Sequence, residues 1–383
     1  MDTDTEAFRK SFQTWLLDAR SRGAPAEDAD YDRLVAWQAE LHRGGWLGLD
    51  WPDEYGGHGL SPVHQLIVYQ ELIAADVALP VNTVGIDVAG PTLMKFGTDQ
   101  QKKQHISEIL RAREIWCQGF SEPDAGSDLA SLRTSGVVDG DELVINGQKI
   151  WTSHASHAHW CLLLVRTGPS KPKHRGITMV MVPLTTPGIT IRPIRQINGE
   201  SEFSEVFYDE VRIPVSNVLG PVGEGWRVAA TTLASERGRH AIMRHARLER
   251  HFEELLQALR QEPACADSLT SAQLARLGRL RSMMIALSST VSLAAVRMSR
   301  NEEPVGWESS DKILLTETEQ EVYATALDLL GPLRLADIGS THELAASLWS
   351  TRYLTSRAYS IAGGTHQIQH NLVGEKLLGL PRK

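Results

Sequence analysis

The sequence predicts a multi-domain α+β protein with a helical N-terminal domain, a middle antiparallel β domain and a C-terminal helical bundle. Apolar residues recur at helical spacing up to about residue 115 and again from about residue 223. Between these limits the apolar period shortens to two, and Gly, Pro, Asn and Asp separate short apolar runs, as they do between strands. The predicted domains are therefore 1–115, 116–222 and 223–383.

Local patterns place the elements. Ser61 is the predicted N-cap of a helix that opens at Pro62, and Gly97-Thr98-Asp99 starts the next helix. Helical spacing in the first part is carried by Phe8, Phe12, Trp15 and Leu16, and by Leu34, Trp37 and Leu41. Strands are predicted around 143–145, 161–165, 177–182, 189–191 and 206–208, and helices over 226–259, 271–299, 309–331 and 341–361.

Composition excludes several classes of function. The 383 residues are 42% hydrophobic and 22% charged, with a formal charge of -8 and no Lys/Arg block, which disfavours nucleic acid and anionic membranes as partners. Cys117, Cys161 and Cys265 are too few and too scattered for a disulfide framework or a zinc site. No continuous apolar run reaches membrane-spanning length, and the acidic N-terminus is unlike a signal peptide, so we expect a cytoplasmic protein.

The run from Trp116 to Asp128 carries the most chemical information. It combines hydroxyls, backbone amides and two glycines. A flat, polar, anionic cofactor needs such a mixture, because backbone N–H groups bind ring carbonyls and glycine permits close approach. The order Gly119-Phe120-Ser121-Glu122-Pro123-Asp124-Ala125-Gly126-Ser127-Asp128 resembles the flavin loop of the acyl-CoA dehydrogenase family.

The resemblance covers nearly the whole chain. Segments 51–60, 146–153, 205–214 and 364–369 are each similar to a family motif and follow in the family's order. The resemblance implies FAD as cofactor. It implies cofactor contacts from Gln118, Phe120, Ser121, Ser127, Trp151, Thr152, Ser153, Thr365 and Gln367, with Ser127 near the flavin phosphates or the substrate thioester, Trp151 over one flavin face and Ser153 at flavin N5. The competing interpretation of Trp151 is a core residue.

The family reaction needs a carboxylate to remove an α-proton from an acyl thioester while hydride leaves the β-carbon. Many members place Glu directly before the Gly-Thr of the last motif, but this chain has Gly363 there, followed by Gly364. Members similar to isovaleryl-CoA and long-chain acyl-CoA dehydrogenases place the base on the helix after the β domain, before an Arg. Glu236 and Arg237 match that pattern, so the resemblance implies Glu236 as base and Arg237, Gly363, Gly364 and Ser127 as substrate contacts. The competing interpretation of Glu236 is a helix-dipole or ion-pair residue.

Two departures from the family bear on assembly. We find no Arg-x-x-Phe-Gly run between Leu259 and Arg300, and the expected glycine-rich run is reduced to Leu330-Gly331-Pro332-Leu333. A homodimer or homotetramer is expected, and a heteromer with a related chain is the alternative. The family implies an electron-transferring flavoprotein as electron acceptor.

Alternatives stay open at this point. The substrate is acyl-CoA or a carrier-bound acyl thioester, since both present the same pantetheine arm. A biosynthetic desaturase of a carrier-bound acyl or aminoacyl group is one alternative, and a non-catalytic partner subunit of a heteromer is another. His154, His157 and His159 crowd together without accompanying ligands, so no metal site is predicted.

Overall fold

Helices form the N-terminal part of the chain, as the apolar spacing predicts. The computed structural model describes residues 3–261, 269–300, 302, 306–330 and 341–381, with the backbone alone at residues 3, 234–240 and 341–347. Phe12 and Leu41 are fully buried and Trp37 nearly so, which confirms the predicted inward faces. The helices are α1 (Thr3–Ser21), α2 (Tyr31–Arg43), α3 (Pro62–Ala74), α4 (Gly90–Phe96) and α5 (Asp99–Leu110).

Capping side chains confirm two predicted helix starts. Ser61 Oγ accepts a hydrogen bond from Val63 N at 3.3 Å at the start of α3. At the start of α5, Thr98 Oγ1 accepts from Gln101 N at 3.2 Å and Gln101 Oε1 accepts from Thr98 N at 2.9 Å. Such bonds satisfy amides that have no partner inside the helix.

A sheet occupies residues 116–219, all of which the structure describes. Its strand order is β6-β7-β3-β2-β4-β5-β8, with β1 paired to β4. Every strand predicted from the period of two is present, and Leu143, Ile145, Val206 and Tyr208 point into one core. The strands are β1 (Trp116–Gly119), β2 (Ser135–Asp139), β3 (Glu142–Ser153), β4 (Trp160–Arg166), β5 (Ile177–Pro183), β6 (Ile189–Pro193), β7 (Phe203–Pro214) and β8 (Val218–Leu219).

The start of the run 116–128 is a strand, although its composition favours a loop throughout. β1 pairs in parallel with β4 and places Cys117 opposite Cys161, with both residues buried. Trp116 and Cys117 are apolar enough to gain from pairing with the apolar strand β4. The sheet is antiparallel at its other long pairings, as predicted, and parallel here and at the single β2–β4 pair.

Buried polar side chains fix where β1 begins. Asn82 Oδ1 accepts from Trp116 N at 3.0 Å, and Asn82 Nδ2 donates to Glu114 O at 2.8 Å. His159 Nδ1 accepts from Ile115 N at 3.0 Å. Because Asn82 is buried, these bonds satisfy backbone groups that water does not reach. The loop after β1 therefore starts from a fixed point.

Helices return after the sheet, as the sequence predicts. Gly363 and Gly364 break the helical pattern with φ of 63° and 91°, in the left-handed region that favours glycine. Cys265 and residues 331–333 of the reduced glycine run lie outside the described residues. The helices are α6 (Gly225–Gln261), α7 (Ser271–Ser299), α8 (Trp307–Leu330), α9 (Thr341–Tyr359) and α10 (His366–Leu372).

Helix α7 has a high average hydropathy although it contains no long continuous apolar run. Among the described residues it is long and apolar enough, by length and composition, to span a membrane, although helices of soluble cores can be equally so. Serine and threonine interrupt its apolar residues, which is why no continuous run is visible. Only 28% of its most apolar stretch is buried within the chain, and Leu274, Ile285 and Leu293 are about half exposed.

Contacts divide the chain into two units. Unit 1 comprises residues 1–60 and 76–236, and unit 2 comprises 61–75 and 237–383. Helix α3 therefore belongs with the C-terminal helices, where it packs against α7 and Gln70 Nε2 donates to Glu249 Oε2 at 3.4 Å. The predicted domain limits at residues 115 and 222 stay predictions.

Candidate active site

The loop after β1 is stabilised by its own backbone and by neighbouring side chains. Glu122 and Ala125 exchange two backbone hydrogen bonds of 3.1 Å, which close a tight turn. Asp128 accepts from Ser131 Oγ at 2.5 Å and from Lys173 Nζ at 2.6 Å. Gly126 and Ser127 are exposed between these two anchors. The loop thus has a fixed path with an accessible tip.

A buried ion pair lies beneath the loop. Lys149 is fully buried, and its Nζ donates to Phe120 O at 3.0 Å and to Glu122 Oε1 at 2.9 Å. Glu122 Oε2 accepts from Arg133 N at 2.7 Å, and Oε1 accepts from Thr134 N at 2.8 Å. The pair therefore joins β3, the loop and the segment before β2.

Burial and charge shift the pKa values of this pair in ways that keep both groups ionised near neutral pH. Burial lowers the pKa of Lys149 to about 8, against the opposing attraction of Glu122. Burial raises the pKa of Glu122, but the Lys149 charge and the donors at Thr134 and Arg133 outweigh it, so the pKa lies below its usual value.

Lys149 was not among the predicted site residues, although the sequence carries a signal for it. Leu143 and Ile145 of β3 face the hydrophobic core of the sheet. The period of two along the strand places Lys149 on the same face. A lysine at an inward position requires a buried partner, because an isolated ammonium is costly to desolvate. Glu122 of the adjoining loop is that partner.

The ion pair orients the peptide bond between Phe120 and Ser121. Lys149 holds Phe120 O, and Ile150 N donates to Ser121 O at 3.0 Å. In a planar trans peptide the carbonyl and the following N–H point in opposite directions. The N–H of Ser121 is therefore directed away from the buried ammonium.

The end of β3 combines backbone strain with unsatisfied hydroxyls. Trp151 has φ of 62° within an irregularity of the β3–β7 pairing, and its side chain is 56% exposed. Left-handed backbone at a bulky residue is strained and is common at functional sites. Thr152 Oγ1 and Ser204 Oγ, on register partners, are buried without a hydrogen-bond partner in the described part of the chain.

The Gly363–Thr365 segment of unit 2 is also held through its carbonyls. Lys312, nearly buried, donates to Ala362 O at 2.5 Å and to Gly364 O. Gln369 Nε2 donates to Gly363 O at 2.8 Å. Gly364 has φ of 91°, which favours glycine, and a Cβ there would lie 2.6 Å from Gln369 Nε2.

The structure brings together part of the predicted set. The bond between Ile150 and Ser121 joins the two segments of unit 1 that the sequence predicts to bind flavin. They contain Gln118, Phe120, Ser121, Ser127, Trp151, Thr152 and Ser153. Unit 2 contains Gly363, Gly364, Thr365 and Gln367, of which Gln367 is exposed and Thr365 Oγ1 caps α10 by accepting from Ile368 N at 3.3 Å. Glu236 and Arg237 lie on α6, but their side chains lie outside the described residues.

The three neighbouring histidines each have a partner within the protein. His157 stacks on Tyr31 with ring centroids 4.0 Å apart, and His154 Nε2 lies 3.5 Å from Glu202 Oε1. His159 holds the start of β1 through the bond from Ile115 N.

Comparison with known proteins gives consistent matches along the chain. Models for the N-terminal, middle and C-terminal domains of acyl-CoA dehydrogenases match residues 2–113, 117–211 and 223–378. The chain is 38% identical over 391 residues to acyl-CoA dehydrogenase IpdE1 of Mycobacterium tuberculosis, with 99% of both chains covered.

Two solved structures are similar at 30% identity, each covering 100% of this chain and 99% of the other. One, described as the Tcur3481-Tcur3483 steroid ACAD, has a TM-score of 0.87. The other, the ChsE4-ChsE5 complex from Mycobacterium tuberculosis, has a TM-score of 0.85.

The strain at Trp151 generates a prediction that separates a binding role from a core role. We expect Trp151→Gly to change the free energy of unfolding of the apoprotein by less than about 2 kcal/mol, because relief of the left-handed strain offsets the lost packing of a half-buried ring. FAD binding should weaken in the same variant, whereas Trp151→Phe should retain most of it.

Urea denaturation of the apoprotein and fluorescence titration with FAD measure the two effects. A stability loss above about 2 kcal/mol would identify Trp151 as a core residue instead.

Proposed function

The chain belongs to the acyl-CoA dehydrogenase family and is therefore an oxidoreductase, and we propose that it binds FAD and converts an acyl-CoA to the 2,3-enoyl thioester. The carboxylate of Glu236 takes the α-proton while hydride leaves the β-carbon. The observation that carries the proposal is the loop after β1, whose backbone is locked with the Ser121 N–H directed away from the buried Lys149.

The residues of unit 1 fit a flavin. Ser121 offers an oriented N–H, Trp151 offers an exposed aromatic face, and the buried Thr152 hydroxyl has no partner among the described residues. When bound, FAD supplies the hydride acceptor. Gln118, Phe120, Ser127 and Ser153 belong to the same two segments, and the resemblance adds Thr365 and Gln367 of unit 2.

The absence of an acid from the segment around Gly363 supports Glu236 as the base. Residues 359–370 contain no Asp or Glu, so this segment offers no carboxylate for proton transfer. A Cβ at Gly363 would meet only Lys312 Nζ, at 3.9 Å, among the described residues, so the position is uncrowded. We infer that Gly363 and Gly364 leave room for substrate, and that Arg237 positions the base or the pantetheine arm.

A positive loop beside Ser127 favours CoA as the thioester carrier. Lys171, Lys173 and Arg175 are exposed, and Lys173 pairs with Asp128 of the flavin loop. Arg166 fixes this loop by donating to Lys173 O at 3.0 Å and to Arg175 O at 2.8 Å. Exposed cations held beside the proposed thioester site are suited to the phosphates of an adenine nucleotide.

The half-exposed apolar face of α7 supports an assembly with a second acyl-CoA dehydrogenase chain. Ile285 is 59% exposed and borders a groove of about 570 Å³ between α6 and α7. Exposed apolar patches of this kind mark interaction sites. The solved relatives are named as pairs of different chains, so a heteromer is as consistent with this face as a homo-oligomer. We infer an electron-transferring flavoprotein as acceptor of the electrons.

Substitution of the proposed base should separate cofactor binding from chemistry. Glu236→Gln keeps the shape of the side chain but removes its basicity, so we expect FAD to bind normally while anaerobic flavin bleaching by acyl-CoA slows by at least about 1,000-fold. The matched control is Glu224→Gln, which changes an exposed carboxylate paired with Arg227 at the start of the same helix.

Stopped-flow absorbance with short, long, branched and steroid-derived acyl-CoA measures the bleaching. Undiminished bleaching in the Glu236 variant would move the base elsewhere. Failure of the wild-type protein to bleach with any acyl-CoA would favour the carrier-bound substrate or the non-catalytic subunit.

Charge reversal in the positive loop should act on CoA binding alone. For Lys171→Glu with Arg175→Glu we expect the KM for acyl-CoA to rise about tenfold with kcat unchanged, because two favourable ion pairs with phosphate become repulsive. Turnover of the matching pantetheine thioester should not change, and Lys103→Glu, at an exposed lysine of α5, is the control. An equal KM increase for the pantetheine thioester would show that this loop does not bind the nucleotide.

The assembly should depend on α7. We expect the wild-type protein to contain at least two chains by multi-angle light scattering and Ile285→Glu to fall to one chain, since a carboxylate in an apolar interface is costly to desolvate. Leu17→Glu alters a leucine of α1 that is at least as exposed as Ile285, and it should leave the mass unchanged. A monomeric wild-type chain that stays monomeric with related chains would contradict the assembly.

A further inference from the structure

We propose that Lys149 and Glu122 form a positioning pair for the cofactor, which sets the direction of the Ser121 N–H and so the affinity for flavin. This inference rests on the proposed function, because it assumes that the loop after β1 binds FAD. Lys149 acts through the loop and does not touch the substrate.

The contacts of Lys149 point to positioning. Its ammonium bonds to one carboxylate oxygen and to the Phe120 carbonyl, which belongs to the peptide that presents the Ser121 N–H. The Glu122 carboxylate also accepts from the amides of Arg133 and Thr134, and the Glu122 backbone forms the tight turn with Ala125. The residues on both sides of Ser121, Phe120 and Glu122, are thus held by one buried charge pair, which fixes the direction of the Ser121 N–H.

Folding stability alone does not explain why the protein has the buried Lys149–Glu122 ion pair. Desolvation of two charges roughly cancels their attraction, and buried ion pairs are often replaced by apolar residues at no cost. The surrounding core is apolar and includes Cys117, Leu143 and Ile145. An apolar side chain at position 149 would fill the space but would leave the Phe120 carbonyl without its donor.

The charges around Lys149 define a pH window. The pKa of Lys149 is lowered to about 8, because burial and the charge of Arg166 lower it by more than Glu122 and Cys161 raise it. Cys161 contacts Tyr208 across the core, and the pKa of the Tyr208 hydroxyl is raised by burial, so that hydroxyl stays neutral in this range. Loss of the Lys149 proton above about pH 8 removes the attraction that holds the pair together.

Loss of the Lys149 proton changes folding stability and flavin affinity in opposite directions, so the two can be told apart. The pKa of Lys149 is about 8 in the folded protein against an ordinary value of 10.5, so the unfolded chain binds more protons between these values. The contribution of Lys149 to folding stability therefore increases as the pH rises through this window. A loss of flavin affinity over the same window cannot come from Lys149-driven unfolding.

The test compares Lys149→Met, Glu122→Gln and the double variant with the wild-type apoprotein. We expect each single change to weaken FAD binding about 10- to 100-fold, the range for a lost hydrogen bond to a charged group. The double variant should lose less than the product of the single effects, since the two residues act together. Fluorescence titration with FAD gives the dissociation constants.

A matched control removes a buried charge elsewhere. Glu319→Gln disrupts the buried pair with Arg244 in unit 2 and should lower stability without changing the visible spectrum of bound flavin or its pH profile. The wild-type dissociation constant for FAD should increase with an apparent pKa near 8, and this step should be absent in Lys149→Met.

The outcomes separate this inference from the proposed function. A wild-type protein that does not bind FAD would refute the proposed function. A wild-type protein that binds FAD with no change between pH 7 and 9.5, or a folded Lys149→Met with unchanged affinity, would refute the positioning role alone. The pH titration of the wild-type protein decides the question even if the variants fail to fold.

Discussion

The buried ammonium of Lys149 is the constraint on which the candidate site depends. A charge that is fully removed from water must be surrounded by acceptors, and here these are the Glu122 carboxylate and the Phe120 carbonyl. Both lie in the loop after β1, so the loop cannot move away from β3 without leaving the charge uncompensated. The geometry of the proposed flavin-binding backbone follows from a requirement of electrostatics.

The same arrangement recurs in unit 2. Lys312 is buried on α8 and donates to the carbonyls of Ala362 and Gly364, while Gln369 holds that of Gly363. In both units a buried donor binds the carbonyls of a glycine-containing segment. Such a segment has little intrinsic preference for one conformation, so donors from neighbouring elements have to fix it.

Much of this arrangement could be predicted from sequence. The periods of apolar residues gave the helices and strands, and Ser61 and Thr98 identified helix starts because capping is a local interaction. The inward position of Lys149 also follows from local alternation with Leu143 and Ile145. These features depend on residues that are close in sequence.

Other features depend on contacts between distant residues. The bond from Trp116 N to Asn82 spans 34 positions, and the parallel pairing of β1 with β4 joins residues 44 apart, as Cys117 and Cys161 show. The glycine and hydroxyl content of the run therefore predicted a loop where pairing with an apolar strand produces β1. The left-handed backbone at Trp151 is likewise set by the irregular pairing of β3 with β7 and has no sequence signal of its own.

Backbone conformation also gives an independent reason for the glycine at position 363. With φ of 63°, an L-residue there would be strained by about 1 kcal/mol relative to glycine. A Cβ at 363 would lie 3.9 Å from Lys312 Nζ, so a longer acidic side chain there would be drawn toward this ammonium. The glycine is thus explained by the chain around it, whether or not a base acts from elsewhere. The assignment of Glu236 then rests on its own position on α6 before Arg237, and on the need of the reaction for one carboxylate.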